Sequence, residues 1–82
     1  MKGQIVVVRD YSKQPVLCRV SEESENTVYV SSDAEYNKKN NGLDALEPVG
    51  FPREDVFRYD ATAQELLSRG NVEWSQMEPF CD

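Results

Sequence analysis

The residues best suited to nucleophilic or acid–base chemistry are few and isolated in this 82-residue chain. It contains two cysteines, Cys18 and Cys81, and no histidine, so no thiol or hydroxyl has an imidazole to activate it. Glu54 and Asp55 are adjacent carboxylates, but after Pro52 they are typical of the first turn of a helix, where acids complement the helix dipole. We therefore expect no catalytic residues and predict that the protein is not an enzyme.

The spacing of possible metal ligands does not match a metal site either. A calcium loop can be traced from Asp33, because Asp33, Glu35, Asn37 and Asp44 occupy positions 1, 3, 5 and 12 of an EF-hand register. The position that needs glycine for the sharp turn holds Lys38, which favours solvated loop carboxylates instead. No cysteine spacing matches a zinc site. We expect no bound metal and no cofactor.

Aromatic side chains beside a carboxylate are the stronger candidates for a binding surface. Tyr11 falls in the first predicted loop, Tyr59 at the end of the last predicted strand, and Asp55 just before that strand. Amphipathic tyrosines are enriched in protein interfaces, so these three residues predict contact with a protein partner. A competing interpretation, which we favour for Tyr59 and Trp74, is that they pack a short helix onto the sheet, because such a helix is unstable alone.

The charge distribution bears on which partner is expected. The net charge is −6, and residues 1–43 carry six acids and six bases, whereas residues 44–82 carry nine acids and three arginines. An acidic surface repels phosphates and fits a basic protein partner. The alternative is a nucleic-acid face formed by Arg9, Lys13 and Arg19, with Arg9 and Arg19 side by side on the first two strands. The net charge argues against that alternative.

The element that must position these residues is the run of four β-branched residues at 5–8, Ile-Val-Val-Val, which predicts a strand with apolar neighbours on both faces. Residues 16–21 and 27–31 alternate in polarity around a polar turn, which predicts a β-hairpin. Residues 32–42 are polar and predict a loop.

The second half of the chain predicts two more strands and one helix. Leu43, Leu46 and Val49 are expected to anchor a fourth strand that ends at Gly50, and residues 56–59 alternate as a fifth. Thr62 and Glu65 form a capping-box pair that predicts a helix over about residues 62–69, with Gly70 as its stop.

Residues 50–56, Gly-Phe-Pro-Arg-Glu-Asp-Val, resemble the Gly–Pro–turn–Val segment that leads into the final strand of SH3 domains. The resemblance implies a mainly β fold, an SH3-like five-stranded small barrel with a short C-terminal α-helix. Peptide-binding SH3 domains place an aromatic residue where this chain has Asp55, and the only tryptophan, Trp74, lies outside the barrel segment. The resemblance therefore extends to the fold and not to binding of proline-rich peptides.

The sequence predicts one domain over residues 1–74 and a C-terminal tail over residues 75–82. The longest apolar run is far shorter than the roughly 20 residues that span a bilayer, and no signal-peptide pattern follows Met1. Cys18 alternates with valines and is expected to be buried, while a bridge to Cys81 stays open. We predict a cytoplasmic, non-catalytic protein–protein interaction or regulatory module, with a nucleic-acid-associated SH3-like barrel as the alternative.

Overall fold

The structure is a computed structural model that describes residues 2–80. It contains five strands, two α-helices and two short 3₁₀ turns. In chain order these are β1 (Ile5–Arg9), β2 (Pro15–Glu23), β3 (Thr27–Ser31), α1 (Asp33–Asn40), β4 (Val49–Pro52), a 3₁₀ turn (Arg53–Asp55), β5 (Val56–Arg58), α2 (Ala61–Arg69) and a second 3₁₀ turn (Trp74–Gln76). The prediction of a mainly β fold with five strands and a late helix is confirmed.

All five strands form one antiparallel sheet in the order β4-β3-β2-β1-β5. In a flat sheet the edge strands β4 and β5 would lie about 19 Å apart, four strand spacings. Here the three residues Arg53–Asp55 connect them, and a 3₁₀ turn of that length advances only about 6 Å. The sheet is therefore strongly curled, and within residues 2–80 no pairing joins β4 to β5 to close it.

A bulge in the long strand β2 contributes to the curl. Its N-terminal half pairs with β1, its C-terminal half pairs with β3, and the register against β3 shifts between Val20 and Glu22. An extra residue in one strand bends it and increases its twist. Ser21, the residue between them, is buried as the bend turns it inward.

The sheet has a core on each face, as the β-branched run predicts. Val6 and Val8 belong to a cluster on the concave face, which also takes in Val56 of β5 and Phe51 of β4, from the two opposite edges of the sheet. Val7 faces the other way, into a second cluster beneath α2. Each of these three valines of β1 is at most 1% exposed, so β1 is the strand shared by both cores.

The N-cap of helix α2 lies two residues before the cap that the sequence suggested. The Asp60 carboxylate accepts the Ala63 backbone N–H at 2.9 Å, so Asp60 is the N-cap and Thr62 lies inside the helix. Gly70 ends the helix with a φ of 72°, a left-handed conformation that glycine adopts without strain. The prediction of the helix and of its stop is confirmed, and the prediction of its capping residue is wrong.

Three predictions around the fourth strand are wrong. Residues 33–40 form α1 instead of a loop, β4 ends at Pro52 instead of Gly50, and Leu43 and Leu46 are exposed instead of anchoring the strand. Helix α1 buries no residue and therefore has no apolar periodicity to reveal it. It is held by a Ser32 cap and by ion pairs on its surface.

The described part of the predicted tail packs against the sheet. The Arg58 N–H donates to the Glu78 carbonyl at 2.9 Å, and the Phe80 N–H donates to the Val56 carbonyl at 3.0 Å. Met77 is buried in the cluster beneath α2. These contacts cover the outer edge of β5, whereas Cys81 and its suggested bridge lie outside the described residues. No helix within residues 2–80 has the length and apolarity to cross a bilayer.

Candidate functional site

Two adjoining clefts beside β4 form the most extensive concave surface on which the predicted site residues meet. One, of about 270 Å³, opens onto the concave face of the sheet, and the other, of about 320 Å³, lies between β4 and the β1–β2 connection. Both are lined by Val49 and Phe51, so they adjoin along β4, and we call the pair the β4 groove.

The first cleft of the β4 groove lies over part of the concave core. Its floor consists of Val8, Cys18 and Val30, which belong to the buried cluster. Its rim carries Leu46, which is 75% exposed, Val49, 58% exposed, and Val16, 41% exposed. Apolar side chains that are exposed at the rim of an apolar cleft are typical of an interaction site, because an occupant would remove them from water.

The second cleft presents Tyr11 on a tightly folded connection. The Asp10 carboxylate accepts the backbone N–H groups of Ser12 and Gln14 at 2.9 and 2.8 Å. Lys13 has a φ of 63°, a left-handed conformation, and its N–H donates to the Asp10 carbonyl at 3.0 Å. This local network fixes the backbone while the Tyr11 side chain stays fully exposed. A rigid backbone with an exposed ring presents contact area at low entropic cost.

Asp55 lies in the same cleft, paired with Arg9. The Arg9 Nε and Nη2 atoms donate to one oxygen of Asp55, Oδ1, at 3.0 and 2.7 Å, and Nη2 also reaches the Glu54 carbonyl at 3.3 Å. The Arg9 guanidinium lies 5.3 Å from the ring centre of Phe57 and 5.4 Å from that of Trp74. Arg9 thus joins β1, the first 3₁₀ turn and the second 3₁₀ turn.

Tyr59 lies elsewhere. It packs against the cluster beneath α2, as does Trp74, so the interpretation that these two aromatics hold the helix onto the sheet is confirmed. Tyr59 lines a separate cleft with Ile5, Leu17 and Arg19. The structure therefore brings Tyr11 and Asp55 together in the β4 groove and separates Tyr59 from them.

The basic residues of the alternative face are dispersed. Arg9 is opposite Pro15 and Arg19 is opposite Ile5, so the two arginines occupy opposite ends of the β1–β2 pair, and the prediction that they lie side by side is wrong. Arg19 pairs with Asp33 and also donates to the Gly3 carbonyl at 2.9 Å. Lys13 alone of the three is exposed at the rim of the β4 groove.

Two titratable groups in the groove have perturbed pKa values. Burial raises the pKa of the Cys18 thiol, which keeps this free cysteine protonated and unreactive. The backbone N–H of Leu46, at 2.8 Å, and the Lys38 ammonium, at 3.0 Å, lower the pKa of Glu35. Glu35 thereby ties the connection between α1 and β4 to the helix. Within residues 2–80, no group of three potential metal-ligating side chains converges.

The groove residues that sequence reasoning missed are Val16, Leu46, Val49 and Phe51. Their apolar character suggested burial, and alternation along β2 correctly assigned Val16 to the same face as Cys18. What the sequence did not show is that the sheet stays open between β4 and the β1–β2 connection, which leaves these side chains at the rim of the core.

Comparison with known proteins does not assign the chain. Neither protein-family models, nor curated protein sequences, nor solved structures give a significant match. The function of the protein is therefore inferred from the geometry and charge of the β4 groove.

Proposed function

We propose that the protein is a small, non-catalytic protein–protein interaction module that holds its partner in the β4 groove. The observation that carries this proposal is the apolar cleft over the concave core, whose rim residues Leu46, Val49 and Val16 are exposed. The rigidly presented ring of Tyr11 extends the same surface. Tyrosine is one of the residues enriched among those that dominate binding energy, and such residues cluster where surrounding contacts exclude water.

We also propose that the curled sheet is an SH3-like small barrel with an open seam. Support comes from the order of its five strands, and from the 3₁₀ turn placed between the fourth and fifth strands as in the resembling segment. The free thiol of Cys18 supports the proposal that the protein resides in a reducing compartment such as the cytoplasm.

The charge of the chain supports a basic partner. Acids outnumber bases among the charged residues that line the groove, which are Asp10, Glu35, Glu47, Asp55, Arg9 and Lys13, and the net charge of the chain is −6. Fields of one sign around a cleft accelerate association with partners of the other sign and make it sensitive to salt.

Two exposed leucines on one connection provide the test. Leu46 lines the β4 groove, whereas Leu43, 62% exposed, does not. A partner captured from the native host should bind the Leu46→Ala variant at least about fivefold more weakly, because truncating an anchor in an apolar pocket costs 1 kcal/mol or more. The Leu43→Ala variant should bind as the wild type does. Equal binding by all three proteins would show that the groove is not the binding site.

The nucleic-acid alternative has less support, because Arg9 and Arg19 are each paired with an aspartate and lie at opposite ends of two strands. A gel shift at low salt decides between the two. Retardation of a single- or double-stranded probe at tens of micromolar protein, within the weak non-specific range of about 10⁻⁴ to 10⁻⁶ M, would favour the alternative. We expect no retardation.

A further inference from the structure

The β4 groove runs along the edge of a strand and not only across a face. Side chains of consecutive strand residues point to opposite faces of a sheet. Yet Val49, Gly50, Phe51 and Pro52, the whole of β4, line the second cleft. A cleft bordered by four consecutive strand residues must follow the edge of that strand, where its backbone polar groups are accessible.

That edge has no strand partner within residues 2–80. β4 pairs with β3 on one side and ends the strand order on the other. The opposite edge of the sheet, strand β5, is covered by backbone hydrogen bonds to Glu78 and Phe80. Unpaired strand edges are templates for pairing with another chain.

The side chains of β4 leave this edge accessible. The strand carries no charged residue, and Pro52, which lacks an N–H and can block an edge, lies at its end, so the edge from Val49 to Phe51 carries neither of these devices. Gly50 has no side chain, and a Cβ there would lie only 2.9 Å from Thr27 Cγ2 and 3.0 Å from Tyr29 Cε1. The neighbouring strand β3 therefore requires glycine at the centre of β4, and the backbone remains uncovered there.

Carboxylates lie at both ends of the edge. Glu47 lines the groove before β4 and Asp55 lines it after β4. Both hydrogen bonds from Arg9 go to Oδ1 of Asp55, which leaves Oδ2 available as an acceptor. Arg9 and Lys13 also line the Asp55 end, so Glu47 is the acid that no cation of the groove compensates. An occupant with a cationic side chain near the start of β4 would meet it.

We propose that the occupant of the β4 groove is an extended segment of another protein, which adds as a strand to the outer edge of β4 and carries Lys or Arg at the end that lies beside Glu47. This inference rests on the proposed function and specifies its binding mode. Backbone hydrogen bonds supply affinity in such strand addition, and pockets for alternate side chains supply specificity. The apolar cleft around Val16 and Leu46 receives an apolar side chain of the segment.

A second copy of this chain is a poorer occupant. Pairing two β4 edges would bring Glu47 and Asp55 of one copy towards the same acids of the other. Each copy also carries a net charge of −6. Like charges placed together across an interface oppose association.

The test uses three pools of short blocked peptides with Val, Leu, Phe and Thr randomised at the inner positions. The first pool has Lys at both ends, the second is identical but N-methylated at alternate backbone nitrogens, and the third has Glu at both ends. Each pool is titrated into the full chain. Binding and amide hydrogen exchange in β4 are followed by NMR, and the informative amides are those that point away from β3, since successive N–H groups alternate between the two sides of a strand.

The Lys-ended pool should bind and slow exchange at the β4 amides. The N-methylated pool should bind at least about tenfold more weakly, because it loses up to two backbone hydrogen bonds to β4. The Glu-ended pool should be weaker than the Lys-ended pool. Equal binding of the methylated and unmethylated Lys-ended pools, with shifts in the groove, would overturn strand addition and leave the interaction module standing.

Absence of groove shifts with every pool would count against both proposals. Protection of the β4 amides that grows with protein concentration, without peptide, would identify a second copy as the occupant and overturn the assignment to another protein. Sedimentation velocity at the same concentrations separates self-association from peptide binding.

Discussion

Arg9 has a structural role that its charge alone does not indicate. In the sequence it is one of three basic residues that suggest a phosphate-binding face. In the structure its guanidinium is paired with Asp55 and lies over two aromatic rings, Phe57 and Trp74, whose centres are 5.0 Å apart. Its planar, charged guanidinium group stabilises the packing of the chain after α2 onto β1 and β5.

Removing this contact should lower stability measurably. The Arg9→Ala variant is expected to lose about 1–2 kcal/mol in the free energy of unfolding, from a partly buried ion pair and two cation–π contacts. Arg19→Ala is the control, because Asp33, its partner, is far more exposed than Asp55, and the expected loss is under about 1 kcal/mol. Urea unfolding of both variants checks the difference, and equal losses would contradict this role for Arg9.

A second residue-scale prediction concerns pH. The folded-state pKa of Glu35 is below its ordinary value, so its contribution to stability is present above the unfolded pKa and is lost as the pH falls through the folded pKa. Acidification from neutrality to below about pH 4 should therefore loosen the connection at Leu46. In Glu35→Gln that part of the pH dependence should disappear, while the exposed control Glu25→Gln should retain it. Urea midpoints across this range provide the measurement.

At the scale of elements, the two helices show which signals the sequence carried. Helix α2 has an apolar side that buries Ala63 and Leu66, and this spacing predicted it. Helix α1 buries no residue, so no apolar periodicity indicated it. The available signal was the pair Ser32 and Glu35: the Ser32 hydroxyl accepts the Glu35 N–H at 3.2 Å, an N-cap followed three residues later by glutamate.

The capping residue of α2 gives an element-scale prediction. Asp60→Ala should destabilise the protein by about 1 kcal/mol, because the N–H of Ala63 loses its acceptor. Thr62→Ala, at the cap that the sequence suggested, should change stability by less than about 0.5 kcal/mol, since Thr62 is an exposed position inside the helix. Thermal unfolding of the two variants distinguishes the caps, and a larger loss in Thr62→Ala would contradict the structure.

The strands were predictable to different degrees for physical reasons. β1, β2 and β3 carry β-branched residues in runs or alternation, and the sequence located all three. β4 has only four residues, one a glycine and one a proline, so its pattern is too short to fix its ends. Its position at the sheet edge follows from long-range pairing with β3, which no local pattern contains.

At the scale of the whole molecule, the site follows from the incomplete closure of the sheet. Sequence reasoning found Tyr11 and Asp55, because loop aromatics and turn acids can be read locally. It did not find the apolar part of the groove, because Val16 and Leu46 become rim residues only once the sheet curls and stays open. It placed Tyr59 with the other two, whereas curvature separates them.

The distribution of charge along the chain is also a property of the whole molecule. The acidic excess lies in residues 44–82, and part of it flanks β4 through Glu47, Glu54 and Asp55. Arg53, the basic residue between Glu47 and Asp55, donates to the Glu25 carbonyl at 2.9 Å and so points towards the β2–β3 turn. Although Arg9 and Lys13 also line the groove, acids outnumber bases there, which supports a basic partner.

The claim that the open face of the curled sheet binds a protein partner is tested most directly by two neighbouring residues of β2. Val16 lines the β4 groove, whereas Leu17 faces a different cleft, and both are exposed. The measurement is the affinity of the isolated partner for Val16→Asp and Leu17→Asp, by calorimetry, after urea unfolding has shown that both variants are folded. We predict that Val16→Asp abolishes binding and Leu17→Asp leaves it unchanged. Loss of binding in Leu17→Asp with full affinity in Val16→Asp would contradict the account.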